Sequence, residues 1–324
     1  MDLSTTYMSL KLKNPIIVGS SKLTSTFAGI KQCADQGAGA IVMKSLFEEQ
    51  LLADTERLID QDMQYYWYPE AVDYINAFAK EGGLRDYLEI IKKAKASVEI
   101  PIIASINCVS ATEWPQFAKS IEEAGADALE LNIALFPFNP DIESAEIEKR
   151  YVEIVKEVKK HVSIPVAVKL CSGFTNLVKI TNELVEAGAD GLVLFNRYYR
   201  PDIDIKTQTV VHNNFYSGPQ EITHSLRWVN ILSQRLTCDL SASNGIHDAK
   251  GVVKQILSGA ESTQMVSALY NKGTAYIQTV LQDVQKCMKK QGYKTIHDFK
   301  GKMAKEDEAS AAFYRVQFMK RTME

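Results

Sequence analysis

A closed (β/α)₈ barrel is the fold class this sequence predicts, and three observations predict it. Four segments, "QGAGAIVMKS", "AGADALELN", "AGADGLVLFN" and "SGAESTQMVSA", each place a Gly-Ala step after an amphipathic stretch and before a short apolar run. Four further apolar runs, "NPIIVGS", "IPIIASIN", "IPVAVKL" and "CDLSASNG", fall between them. Helical periodicity separates successive runs, and strands alternating with helices indicate a parallel sheet. Eight units in 324 residues favour closure over the rival open doubly wound sheet. No G-x-G-x-x-G follows the first run, which also counts against the open sheet.

Each element has a local reason. Glycine after a helix supplies a left-handed cap, and an unbroken apolar run reads as a strand buried on both faces. Three runs begin at a proline, which suits a first strand position where no ladder donor is lost. Spaced apolar residues predict helices over 27–36, 84–97, 114–124, 145–161, 177–187, 223–234, 249–258 and 276–290. Two connections are long, 47–83 after the second strand and 197–222 after the sixth. Both leave the carboxyl ends of strands, the active-site face of a barrel, and so predict lids or subunit contacts. From Gly292 the chain, with "DEASAAFYRVQFMKR", predicts an outer closing helix. No linker divides residues 1–324, so one domain is expected.

Composition bounds the rest. Hydrophobic residues at 46% and charged residues at 24% describe a soluble globular chain. A net charge of −3 gives no reason to expect nucleic acid or an anionic membrane as partner. No apolar run reaches membrane-spanning length, and no secretory signal opens the chain. Five cysteines without paired metal spacing predict reduced thiols in a cytoplasm and no metal site.

The ends of the runs carry the chemistry. In order they deliver Ser20, Lys44 with Ser45, Asn107, Asn132, Lys169, Asn196, Ser243 with Asn244, and Ser267. Buried strands tolerate amides and lysines there when a ligand with many donors and acceptors satisfies them. "SASNGIHDAKGV" and "MVSAL" follow strands seven and eight, where barrels commonly hold phosphate. A phosphorylated ligand with a flat heteroaromatic ring is therefore expected.

"NPIIVGSS", "GAGAIVMKS", "ADALELN", "IPVAVKL", "GADGLVLFN" and "SASNGIHDAKGVVKQILSGAESTQMVSAL" resemble, in order, the motifs of dihydroorotate dehydrogenases, which are flavin mononucleotide (FMN) TIM barrels. "LVLFNR" and "PDID" are similar to a bacterial dihydroorotate dehydrogenase-like branch. The resemblance implies FMN as cofactor, oxidation or reduction of a CH–CH bond, a place in pyrimidine metabolism and a homodimer. It puts Gly19, Ser20, Lys44 and Ser45 around the flavin ring, Asn107 and Asn132 by flavin or substrate, and Lys169 at the N1/O2 edge. Asn244, Gly245, Ser267 and Ala268 would hold the phosphate, and Lys44, Asn132 and Asn196 the substrate.

One departure matters. The family supplies a Cys or Ser base a few residues after the strand-four asparagine, and the ungapped position in "ELNIALFPFNP" is Leu135, which accepts no proton. Asn139 is the nearest match to the asparagine that normally follows, and "DMQYYWYPEAV" replaces the family's substrate loop. Cys171 and Cys108 are the available thiols, and Tyr65, Tyr66, Tyr68 and Tyr198 the available phenols. Three readings follow. One is a flavin oxidoreductase with a changed base and a substrate that is dihydroorotate or another unsaturated or dihydro ring. The second is a lysine aldolase using Lys44 or Lys169 as a Schiff base, which lacks a partner base. The third is an FMN-binding electron-transfer or regulatory protein.

Overall fold

Eight parallel strands close on themselves in the computed structural model, which describes residues 1–47, 69–107, 113–135, 139–198, 200–211 and 215–304. An antiparallel hairpin, β1 (Thr5–Tyr7) with β2 (Leu10–Leu12), precedes the barrel. The barrel strands are β3 (Ile16–Val18), β4 (Ala40–Val42), β6 (Ile102–Asn107), β7 (Ala128–Asn132), β8 (Val166–Leu170), β9 (Gly191–Leu194), β12 (Asp239–Ala242) and β13 (Ser262–Met265). Short β5 (Leu46–Phe47) prolongs the second barrel strand against β6. Pairing of β13 with β3, and of β4 with β6, completes the ring.

The helices stand between the strands: α1 (Phe27–Asp35), α2 (Pro69–Ser97), α3 (Glu113–Glu123), α4 (Ser144–His161), α5 (Leu177–Glu186), α6 (Ile222–Leu232), α7 (Ala249–Leu257), α8 (Ser267–Lys272) and α9 (Tyr276–Gln291). Thr26, Asn176 and Asp248 cap α1, α5 and α7 by accepting a backbone N–H three residues on, each contact stabilising its helix by about 1 kcal/mol.

The recurring "GAD", with its variant "GAE", has a structural cause. The glycines, Gly125, Gly188 and Gly259, end helices with φ of +94°, +106° and +109°. The acid that follows turns back onto the preceding barrel strand. Asp127 accepts the Ile102 N–H at 2.8 Å, Asp190 that of Val166 at 2.8 Å, and Glu261 that of Leu240 at 2.6 Å. Lysines Lys95, Lys159 and Lys300 neutralise these acids. The motif thus fixes register at the amino ends of the strands, far from the chemistry.

Two of the expected boundaries move. Residues 69–83 belong to α2 rather than to the long second connection. The pair Gly82-Gly83 reads as a break, yet glycine inside a helix costs only about 1 kcal/mol per residue, and the helix runs through it. The sixth connection contains a hairpin, β10 (Asp202–Asp204) with β11 (Thr209–Val211), which exposes Ile203, Ile205 and Val210. The aromatic cluster Tyr65 to Tyr68, Cys108 and the "DEASAAFYRVQFMKR" stretch of the expected closing helix lie outside the described residues, while 292–304 form turns rather than the start of that helix.

Alternation along each strand sorts the interior. Ile17, Ala40, Val42, Ile103, Ala128, Ala167 and Val193 pack together with Tyr7, Met8 and Leu12 of the amino-terminal hairpin, which plugs the bottom of the barrel. The intervening residues pack outward against the helices. Two residues further along the same inward rows the chemistry turns polar: Ser105, Glu130, Lys169, Ser241 and Gln264 are all buried. The fold therefore has an apolar floor and a polar upper layer that opens at the carboxyl face. Among the described residues, no helix is long and apolar enough to cross a membrane.

Candidate active site

The inward rows of β7, β8 and β13 meet in one buried network. Lys169 donates to Gln264 Oε1 at 3.1 Å, and its Nζ lies 3.4 Å from Glu130 Oε1. Gln264 in turn donates from Nε2 to Glu130 Oε2 at 2.6 Å. The carboxylate charge is thereby paired inside the barrel, and the lysine is aimed at the mouth without being free to swing. A second pair stands above it, where Asn196 Nδ2 donates to Asn132 Oδ1 at 2.6 Å. Fixing both amides leaves the Asn132 N–H₂ and the Asn196 carbonyl oriented for another partner.

These groups border a cavity of about 210 Å³ lined by Ser20, Lys169, Asn196, Arg197, Ser217, Ser243, Asn244, Gly245, Gln264 and Ser267. One end is built from hydroxyls and amides. Ser217 N–H donates to Ser267 Oγ at 2.9 Å, and the two hydroxyls are 3.1 Å apart. Gly245 N–H donates to Ser217 Oγ at 3.4 Å, and His247 Nε2 lies 3.2 Å from the same oxygen. Burial pushes the His247 imidazole below its ordinary value, so it stays neutral near pH 7 and serves as a hydrogen-bonding group rather than a cation.

Positive charge enters from Arg197. Its guanidinium donates to Glu221 Oε2 at 3.1 Å, and Arg200 reaches the same oxygen at 2.9 Å. Two guanidiniums thus share one carboxylate beside the cavity. Burial alone would raise Glu221, but the Gly218 N–H and the two arginines outweigh it and hold the carboxyl below its ordinary value. Backbone N–H groups and hydroxyls suit an oxyanion such as phosphate. At the other end, Lys169 and the amides suit the polar edge of a planar ring.

The structure brings together seven of the residues expected from sequence at the cavity wall: Ser20, Lys169, Asn196, Ser243, Asn244, Gly245 and Ser267. Asn132 joins through Asn196. Gly19 sits directly behind, where a Cβ would press on Val266 and Gln264 at 2.9 and 3.1 Å. Ser45 supports Ser20 from below through hydroxyl contacts to Ser20 at 3.1 Å and Ser105 at 2.7 Å. Ala268 is fully buried beneath Ser267. Lys44 and Asn107 do not line this cavity; Lys44 is half-buried with no side-chain partner among the described residues. Cys171 lies in the neighbouring cavity with Leu135.

Two expectations shift in detail. Asn244-Gly245 does not open the helix directly, because α7 begins at Ala249 behind its cap Asp248. Gly245 instead aims its N–H across to Ser217. Ser217 and Arg197 were missed by reading strand ends, since both come from the sixth connection. The signal available was "SGP", a small pair before a proline that starts a helical turn.

A closed parallel barrel whose carboxyl mouth joins a buried lysine, paired amides and a hydroxyl cradle is the architecture of a barrel enzyme. The family model described as dihydroorotate dehydrogenase matches residues 2–288, and the chain belongs to that family of oxidoreductases. Among its relatives is the dihydroorotate dehydrogenase B (NAD(+)) catalytic subunit of Thermoplasma volcanium, 28% identical over 313 residues that cover 93% of this chain and 98% of the relative. The corresponding subunit of Methanocaldococcus jannaschii is 27% identical over 305 residues, covering 89% and 94%.

Proposed function

We propose that this protein is an FMN-dependent oxidoreductase acting on a CH–CH bond or its unsaturated counterpart, with a substrate other than dihydroorotate. The observation that carries the reading is one cavity with a phosphate-type cradle at one end and Lys169 with the Asn132–Asn196 pair at the other, while Leu135 stands where a base is needed. Ser217, Gly245 and Ser267 would hold the phosphate, with Asn244, which donates to the Phe195 carbonyl at 2.9 Å, fixing the turn. Lys169 would address the anionic edge of the reduced ring, and Asn132, Asn196 and Lys44 the substrate. Bound FMN supplies hydride transfer; the chain supplies orientation, charge and the proton.

The purified protein is expected to be yellow and to release FMN on denaturation. Anaerobic mixing with dihydroorotate is expected to leave the flavin absorbance unbleached over minutes. Rapid bleaching would show that dihydroorotate is the substrate after all. A colourless protein that takes up no FMN would overturn the cofactor. Bleaching by no substrate at all would favour the electron-transfer reading, which the leucine at position 135 also fits.

The reading extends to the whole chain as one domain, to a cytoplasmic setting and to a homodimer. The apolar side chains of the β10–β11 hairpin support the dimer, because Ile203, Ile205 and Val210 are 65%, 85% and 60% exposed on a short ribbon. Ile203→Glu with Val210→Glu is expected to convert a sedimenting dimer into a monomer. Equal sedimentation of parent and variant would rule out this face. The relatives named as catalytic subunits raise a further partner for the electron acceptor, which co-purification would reveal.

A further inference from the structure

The missing base at Leu135 directs attention to what surrounds that residue. A cavity of about 670 Å³ lies beside the strand-end cavity and shares Asn196 and Arg197 with it. Cys171, Tyr151 and Tyr198 line it. Cys171 follows Lys169 by two residues, and Tyr198 follows Asn196 by two, so two of the three groups come from strand ends that also build the cavity already described. Tyr151 comes from α4. Its hydroxyl accepts the N–H of Leu135 at 3.3 Å and donates to the Ile133 carbonyl at 3.4 Å. A phenol thus occupies the neighbourhood from which the side-chain base is absent.

The three protic groups share one cavity wall. Tyr198 is electrostatically coupled to both Tyr151 and Cys171. Phe174 packs edge-on against the Tyr151 ring at 5.2 Å, closing one side with an apolar face. Burial pushes the Tyr151 phenol up to about 12 and raises Tyr198 further, with Tyr151 and Cys171 adding to the rise. Both phenols keep their protons at neutral pH, the form a donor requires, and each is a weaker acid than free tyrosine.

We propose that Tyr198, backed by Cys171 and Tyr151, is the proton donor of this site, and that the substrate class is an electron-poor carbon–carbon double bond undergoing reduction. The proposal rests on the flavin-dependent reading above. In the step, a hydride from reduced flavin bonds to one alkene carbon while the Tyr198 O–H bond breaks and its proton bonds to the adjacent carbon. The substrate gains two electrons and two hydrogens, and the flavin is oxidised. Tyr198 is reprotonated through Cys171 or Tyr151 from water in the larger cavity. An external two-electron donor, a nicotinamide in the cell or dithionite in the test, reduces the flavin again.

The test uses the purified full chain and its Tyr198→Phe, Tyr151→Phe and Cys171→Ser variants, with orotate and 2-cyclohexenone as probes under dithionite. Tyr198→Phe is expected to lower kcat for the better probe by about 100-fold with KM unchanged, the scale of a lost general acid. Tyr151→Phe and Cys171→Ser should show smaller losses. A second readout needs no flavin: the infrared S–H band of Cys171, identified by its loss in Cys171→Ser, should shift in Tyr198→Phe. An unmoved band overturns the coupling of Cys171 to Tyr198 even in a protein that binds no FMN. A flavin-loaded parent that reduces neither probe, or a Tyr198→Phe protein that matches the parent's kcat, overturns the donor. Failure of FMN to bind sinks the functional reading instead, and the two failures are told apart by colour.

Discussion

Lys169→Ala is expected to destabilise the fold by about 3 kcal/mol, even before any ligand is considered. The side chain of Glu130 is only 1% exposed, and Lys169 is the one cation that reaches it among the described residues. Among the described residues its Oε1 receives no hydrogen bond, and only Gln264 donates to Oε2. Removing the lysine leaves a buried carboxylate with a single neutral donor, and stranding one member of a buried ion pair is more costly than never having had the pair. Urea unfolding should therefore show a lower midpoint at an unchanged slope. The double variant Glu130→Gln, Lys169→Met removes both charges and should recover most of the loss. If Lys169→Ala lies within about 1 kcal/mol of the parent, the network is not the structural unit described. In the double variant, stability and ligand affinity separate: a protein that folds normally yet fails to hold FMN would place Lys169 in binding as well as in packing.

The parts of this site that could be read from sequence were those with a local cause. Proline entry, the Gly-Ala step and the buried run locate a strand without reference to the rest of the chain, so Lys169, Asn132 and Asn196 were legible as strand ends. The acid in "GAD" was also visible, but its task of binding the previous strand's N–H depends on which strands are neighbours. Glu130 shows the same limit. A carboxylate in the middle of "ALELN" is a signal, since alternation puts it on the row of Asn132, but its partner Gln264 lies 134 positions away. Ser217, Arg197 and the Tyr151–Cys171–Tyr198 cluster depend on where a long connection and a helix side chain fall in space. No periodicity encodes that. The Gly82-Gly83 pair misled for the opposite reason: a local break signal was overridden by the helix around it.

Gly245→Ala is expected to be the most damaging single-methyl change at the mouth. Gly245 has φ +70°, where any other residue carries left-handed strain of about 1 kcal/mol or more. Strain is the smaller part. A Cβ here would overlap the backbone nitrogen and Cα of Ile222, at the start of α6. Backbone cannot rotate away as a side chain tip can, so the sixth connection must move as a unit. That connection carries Ser217, whose hydroxyl receives the Gly245 N–H and reaches Ser267. The substitution should therefore cost about 3 kcal/mol or more in unfolding free energy and abolish FMN uptake. Gly125→Ala is the control: φ is +94° there and nothing lies within 4 Å of the added carbon, so it should cost only the strain, about 1 kcal/mol. The difference between the two variants isolates crowding from conformation. Should Gly245→Ala behave like Gly125→Ala in both stability and FMN titration, the close contact between the seventh-strand turn and α6 would not be what shapes the cradle.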